Sequence, residues 1–159
     1  MKRTETVVIG AGAIGMLCAA PLAKTEGVSL RVAASGERLN RLREHGLYPN
    51  GQPLQAEFTS GNGGRTADFI LIATKAAGYR DALELAAEFA GPQTVIVPLL
   101  NGISAEETAK RRFPGNNVVC GFFLGHASVI GLIFALAALA GMLYMLFKPY
   151  KEATKLSKV

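Results

Sequence analysis

Residues 6–15 read Thr6-Val7-Val8-Ile9-Gly10-Ala11-Gly12-Ala13-Ile14-Gly15. Four β-branched residues, bounded by charge before and glycine after, make a strand buried on both faces, as in parallel sheets. The glycines at positions 10, 12 and 15 then open a helical stretch, Ile14–Lys24. In that context the spacing has a mechanism. Gly10 permits a tight turn, Gly12 lets a backbone approach a pyrophosphate, and Gly15 lets the helix pack close on the strand. The helix N-terminus, with the amides of Ala13, Ile14 and Gly15, offers free N–H groups and a partial positive charge. Pro21 is expected to kink this helix or to begin its last turn.

Downstream the same alternation continues. Val28–Ala33 reads as a second strand, and Gly36–Gly46 as a helix with Leu39 and Leu42 at helical spacing and Gly46 as its cap. The Pro- and Gly-rich stretch 48–64 is loop, with at most one short strand at Leu54–Phe58. Asp68–Ala73 is a strand, Tyr79–Phe89 an amphipathic helix, and Thr94–Val97 a strand ending at Pro98. Ser104–Arg112 reads as a helix with Ser104 at the N-cap and Glu107 closing a capping box. Val118–Phe123 is the last strand. This alternation predicts an α/β fold, a Rossmann-type doubly wound parallel sheet over residues 1–126.

Composition narrows the function. The 159 residues carry a net charge of +5. The longest block of like charge is Lys110-Arg111-Arg112, and no zinc-finger, RNP or basic-zipper pattern is present, which argues against nucleic acid as a partner. Cys18 and Cys120 are far apart in apolar surroundings, and His45 and His126 have no neighbours at ligand spacing, so no metal site is expected and the thiols read as buried and reduced. The first residues run straight into a strand without a signal sequence, so the expected location is cytoplasmic.

The position about 20 residues beyond the glycines selects the cofactor. An acid there would accept from both ribose hydroxyls of NAD. This chain has Ala34-Ser35-Gly36-Glu37-Arg38. A hydroxyl at Ser35 and a guanidinium at Arg38 suit a 2′-phosphate that an acid would repel, which favours NADP(H). Glu37 could point either way.

Three further segments complete a pattern: Ser35 to Gly46, with Arg38-Leu39 and Leu42-Arg43; Thr74-Lys75-Ala76 after a strand; and Leu100-Asn101-Gly102 with Glu106. With the glycine fingerprint and the Gly121–Ala127 strand end, they resemble the ketopantoate reductase family in order and spacing over residues 5–128. The resemblance implies pyrophosphate contacts at Gly10, Gly12 and Gly15. It implies Lys75 on the cofactor and substrate side of a cleft, and Asn101 against the nicotinamide ribose or the substrate. It further implies hydride transfer to a 2-keto acid, with Lys75 and Asn101 as the catalytic candidates. Ser35 departs from the family's usual arginine. The family's catalytic lysine and substrate-binding acid lie in a helical C-terminal domain without a counterpart in these residues, so the isolated chain is expected to reduce ketopantoate poorly.

Residues 127–147 carry no charge over 21 positions. At ~1.5 Å per residue this spans the ~30 Å hydrocarbon core, so it reads as a transmembrane helix. Small residues (Gly131, Ala135, Ala138) would permit close helix contact, and a basic tail with Lys148, Lys151, Lys155 and Lys158 follows over 148–159. The expected organisation is a cytoplasmic NADP(H)-binding domain anchored to a membrane or a membrane-protein partner. The alternatives are a non-catalytic nucleotide-binding accessory subunit of a membrane complex, or a truncated, inactive reductase.

Overall fold

The computed structural model describes residues 3–100 and 103–119. They belong to the first of two compact units, residues 1–123; the second, residues 124–159, lies outside the described residues. The strands are β1 (Thr4–Ile9), β2 (Val28–Ala33), β3 (Glu57–Thr59), β4 (Ala67–Ile72), β5 (Ala90–Pro98) and β6 (Asn117–Val118). The helices are α1 (Ala13–Leu22), α2 (Gly36–His45), α3 (Tyr79–Ala87) and α4 (Ile103–Arg112). All strand pairs are parallel, in the order β3-β2-β1-β4-β5-β6. The Rossmann-type parallel sheet expected from the sequence is therefore present.

Successive residues of β1 serve opposite cores, which is why its run is continuously apolar. Val8 packs with Leu30, Val32 and the α2 residues Leu39 and Leu42. Val7 and Ile9 pack with Ile70, Ile72, Ala86, Phe89 and Ile96 beneath α3 and α4. The connection leaves β1 toward β2 on one side, and β4 begins the other half, so the order reverses between β1 and β4. In open α/β sheets ligands bind outside the strand ends at that switch point.

Several local expectations are corrected. α4 begins at Ile103, so Ser104 lies inside the helix, where its carbonyl accepts the Thr108 hydroxyl at 2.7 Å, and it is not the N-cap. β5 begins at Ala90, because Thr94 bridges an irregular register: its Oγ1 accepts from the Gly91 amide and donates to the Ala67 carbonyl. The short strand is Glu57–Thr59, while Leu54 is a buried loop residue whose amide donates to the Leu47 carbonyl at 2.8 Å. Pro21 sits in the last turn of α1, and its carbonyl accepts the Lys24 amide and the Thr25 hydroxyl. Cys18 is half-buried, not buried, although its desolvation still pushes the thiol pKa up. The last strand holds Asn117–Val118; Cys120 and its successors, like the transmembrane expectation at 127–147, lie outside the described residues. Among the described residues no helix is long and apolar enough to cross a membrane.

Arg31, in the middle of β2, is wholly buried, which the apolar pattern of that strand conceals. Its guanidinium lies 5.3 Å from the centroid of the Phe89 ring, Nη1 donates to the Asn62 carbonyl at 3.2 Å, and Nη2 stands 3.4 Å from Glu5 Oε2. Burial pulls its pKa down, and the facing Glu5 opposes that shift.

Tyr79 ties α3 to α4: its hydroxyl donates to the Ala105 carbonyl at 2.7 Å, and burial pushes its pKa up to about 12. An unfolded tyrosine ionises near pH ~10, so the folded chain binds more protons between about 10 and 12, and stability falls as pH rises through that window. Tyr79→Phe is expected to cost about 1 kcal/mol in urea denaturation near neutral pH. The gap to wild type should shrink as pH rises from about 10 to 12; a gap independent of pH would contradict the assignment.

Candidate functional site

The turn after β1 is shaped by three glycines for three different reasons. Gly10 has φ +101°, and a Cβ there would stand 2.7 Å from the Ala73 carbonyl oxygen and 3.0 Å from Thr74 Cγ2. A Cβ on Gly15 would lie 1.8 Å from the Gly10 carbonyl oxygen, so only glycine lets α1 begin this close to the strand end. Gly12 has an extended backbone at the N-cap of α1 and nothing within 4 Å of its missing Cβ. Two glycines are thus demanded by the protein itself, whereas the third leaves open space. The N-terminus of α1 carries neither a side-chain cap nor an acid in its first turn, so its positive end is not neutralised locally.

The carboxyl end of β2 supplies the next wall. The Ala34 amide donates to the Thr59 carbonyl at 3.0 Å, which holds Ser35 at the start of α2. Ser35 is exposed and its hydroxyl makes no capping bond; Arg38 is exposed one turn later. Beyond β4, Thr74 is half-buried and Lys75 exposed, leading into a single 3₁₀ turn at Ala76–Gly78 before α3.

These segments enclose two adjoining cavities that share Gly10, Ala11, Arg38, Leu42, Thr74 and Gly78. The smaller, about 260 Å³, lies between Ser35 and Arg38 on one wall and Asp81, Ala82 and Leu85 of α3 on the other. The larger, about 670 Å³, is bordered by Gly12, Arg38, Arg41, His45 and Lys75. No acid lines the larger cavity among the described residues, so its field favours anions. Asp81 is the acid of the smaller one.

Of the residues singled out from the sequence, Gly10, Gly12, Ser35, Arg38 and Lys75 line this one cleft. Ala13, Ile14 and Gly15 form the start of α1 and do not line either cavity, and Asn101 lies outside the described residues. Arg41, His45, Thr74 and Asp81 also line the cleft and were missed. On α2 the spacing of Arg38, Arg41 or Leu42, and His45 marks one helical face, and Asp81, Ala82 and Leu85 do the same on α3. That periodicity was available, but which face turns toward the glycines is a tertiary fact.

A family model described as ketopantoate reductase PanE/ApbA matches residues 6–134. No curated protein matches the chain. Among solved structures, the 2-dehydropantoate 2-reductase of Porphyromonas gingivalis W83 is 27% identical, with a TM-score of 0.58, covering 76% of this chain and 46% of that one. The enzyme of the same name from Methylococcus capsulatus is also 27% identical, with a TM-score of 0.60, covering 76% and 41%. A D-mandelate dehydrogenase, in a ternary structure with NADH and anilino(oxo)acetate, shares the fold at 23% identity and a TM-score of 0.62, covering 75% and 40%. The chain spans less than half the length of these structures.

The steric difference between the glycines gives a direct expectation. Gly15→Ala should destabilise the fold by about 3 kcal/mol or more, since backbone must move to admit the methyl group. Gly12→Ala, facing open space, should stay within about 0.5 kcal/mol of wild type. Chemical denaturation measures both, and equal losses would contradict the assigned geometry.

Proposed function

The chain belongs to the ketopantoate reductase family, and on that premise we propose that residues 1–126 form an NADP(H)-binding domain for hydride transfer to a 2-keto acid. The observation carrying this reading is the uncapped start of α1, set behind a glycine turn and opening on a cleft with Arg38, Arg41, His45 and Lys75 on its larger side. The residues fit a dinucleotide. The open space at Gly12 admits a pyrophosphate, and the amides from Ala13 to Gly15 supply donors at the positive end of the helix. Ser35 and Arg38 would hold the 2′-phosphate, where an acid would instead favour the NAD ribose.

When bound, NADPH supplies the hydride from C4 of its nicotinamide. The work left to the chain is positioning. Lys75 would orient the carboxylate or carbonyl of the keto acid, and Asn101 would position cofactor or substrate. Hydride delivery to a ketone leaves an alkoxide that needs a proton, a role worth ~10²–10⁴-fold in rate. Lys75 is the only lysine among the described residues that line the cleft, and it is already assigned to orienting the keto acid. We further propose that residues 127–147 span a membrane and 148–159 form a basic tail, a reading supported by the uncharged 21-residue run.

Fluorescence titration of the full chain should show tighter binding of NADPH than of NADH, and Arg38→Ala should remove the difference. Deleting residues 127–159 should leave the NADPH affinity unchanged and move the protein from carbonate-resistant membranes into the supernatant. NADH binding equal to or tighter than NADPH binding would overturn the 2′-phosphate assignment; full-length chain released by carbonate would overturn the anchor.

A further inference from the structure

Thr74 stands two residues beyond the end of β4, pressed against the glycine turn; its Cγ2 is among the atoms that a Cβ on Gly10 would strike. It lines both cavities of the cleft. Its Oγ1 is shut off from solvent and has no hydrogen-bond partner among the described residues. Burying a hydroxyl without a partner is destabilising, so folded proteins satisfy nearly all such groups. The other buried polar side-chain atoms in this condition belong to Arg31 and Glu5, whose opposite charges face each other at 3.4 Å. Thr74 has no compensating charge of that kind. It also occupies the seam where the Ser35–Arg38 cavity meets the Gly12–Lys75 cavity, beside Gly10 and Ala11.

We propose that the Thr74 hydroxyl is a hydrogen-bond donor held for the bound dinucleotide, and that it donates to an oxygen of the pyrophosphate at the glycine turn. The inference rests on the dinucleotide reading of the cleft. Pyrophosphate oxygens are anionic and accept only, and the Thr74 O–H has no acceptor among the described residues. Thr74 Cγ2 stands beside Gly10, so a 120° step about χ1 that puts Oγ1 in its place would bring the hydroxyl to the glycine turn. Thr74 is a positioning residue in this scheme: it fixes the cofactor and takes no part in hydride transfer.

Thr74→Val keeps the branched shape and removes the donor, whereas Thr74→Ser keeps the donor and removes the methyl group. Calorimetric titration of the full chain in detergent with NADPH and with ADP should show about tenfold weaker binding of both ligands to Thr74→Val, which corresponds to about 1.4 kcal/mol. Thr74→Ser should stay within about threefold of wild type, and the ligand-free Thr74→Val chain should unfold no earlier than wild type in urea. Wild-type affinity in Thr74→Val, or a loss of ligand-free stability in that variant, would overturn the assignment of the hydroxyl alone. Wild-type chain that binds neither NADPH nor ADP would overturn the dinucleotide reading, and this inference with it.

Discussion

The close approach of Gly15 to the carbonyl of Gly10 is the contact on which the site depends. The 1.8 Å that a Cβ would leave there means that the start of α1 is pressed against the end of β1 with no room for a side chain. This places the uncapped helix N-terminus directly beyond the carboxyl end of a central strand. The parallel sheet then sets β2 on one side of that strand and β4 on the other, through the pairs Ile9–Ala33 and Ile9–Ile72. Ser35 and Arg38 are brought in from the first neighbour, Thr74 and Lys75 from the second. One backbone contact thus organises the glycine-turn end of the cleft, and the strand order supplies its walls.

Charge is distributed to match. The cationic side chains of α2 that border the cleft are exposed or reach it by their helical face, and the larger cavity has no acid in its described lining. Arg31 shows the contrasting use of the same residue type. Buried under the sheet against Phe89 and Glu5, it serves packing and an ion pair, and it is no part of the cleft. The two guanidiniums, Arg31 and Arg38, are separated by a single turn of chain but by opposite environments: an inward-facing strand position and a solvent-facing helix position.

The sheet was legible because its strands are short apolar runs bounded by glycine and charge. β2 was read with its observed limits, and the glycine spacing located the turn and the helix behind it. What the sequence concealed was set by tertiary contacts. The early start of β5 depends on Thr94 bridging Gly91 and Ala67, a bond that spans two strands. The displacement of Ser104 into α4 overrode a capping pattern that was plausible on spacing alone. Thr74 and Asp81 reach the cleft because α3 and the end of β4 face the glycine turn, and periodicity says which residues share a face but not what that face meets. Buried Arg31 was invisible for the same reason, since its partners Phe89 and Glu5 lie on other strands and loops.

Everything in the proposed function hangs on one placement: a dinucleotide's pyrophosphate held by the amides at the start of α1. Amide chemical shifts of the isotopically labelled chain, followed by NMR while NADPH is added, test it most directly. The Gly12, Ala13, Ile14 and Gly15 amides are expected to shift together and saturate with a single dissociation constant. A saturable response confined to other parts of the chain, with these four amides unmoved, would contradict it.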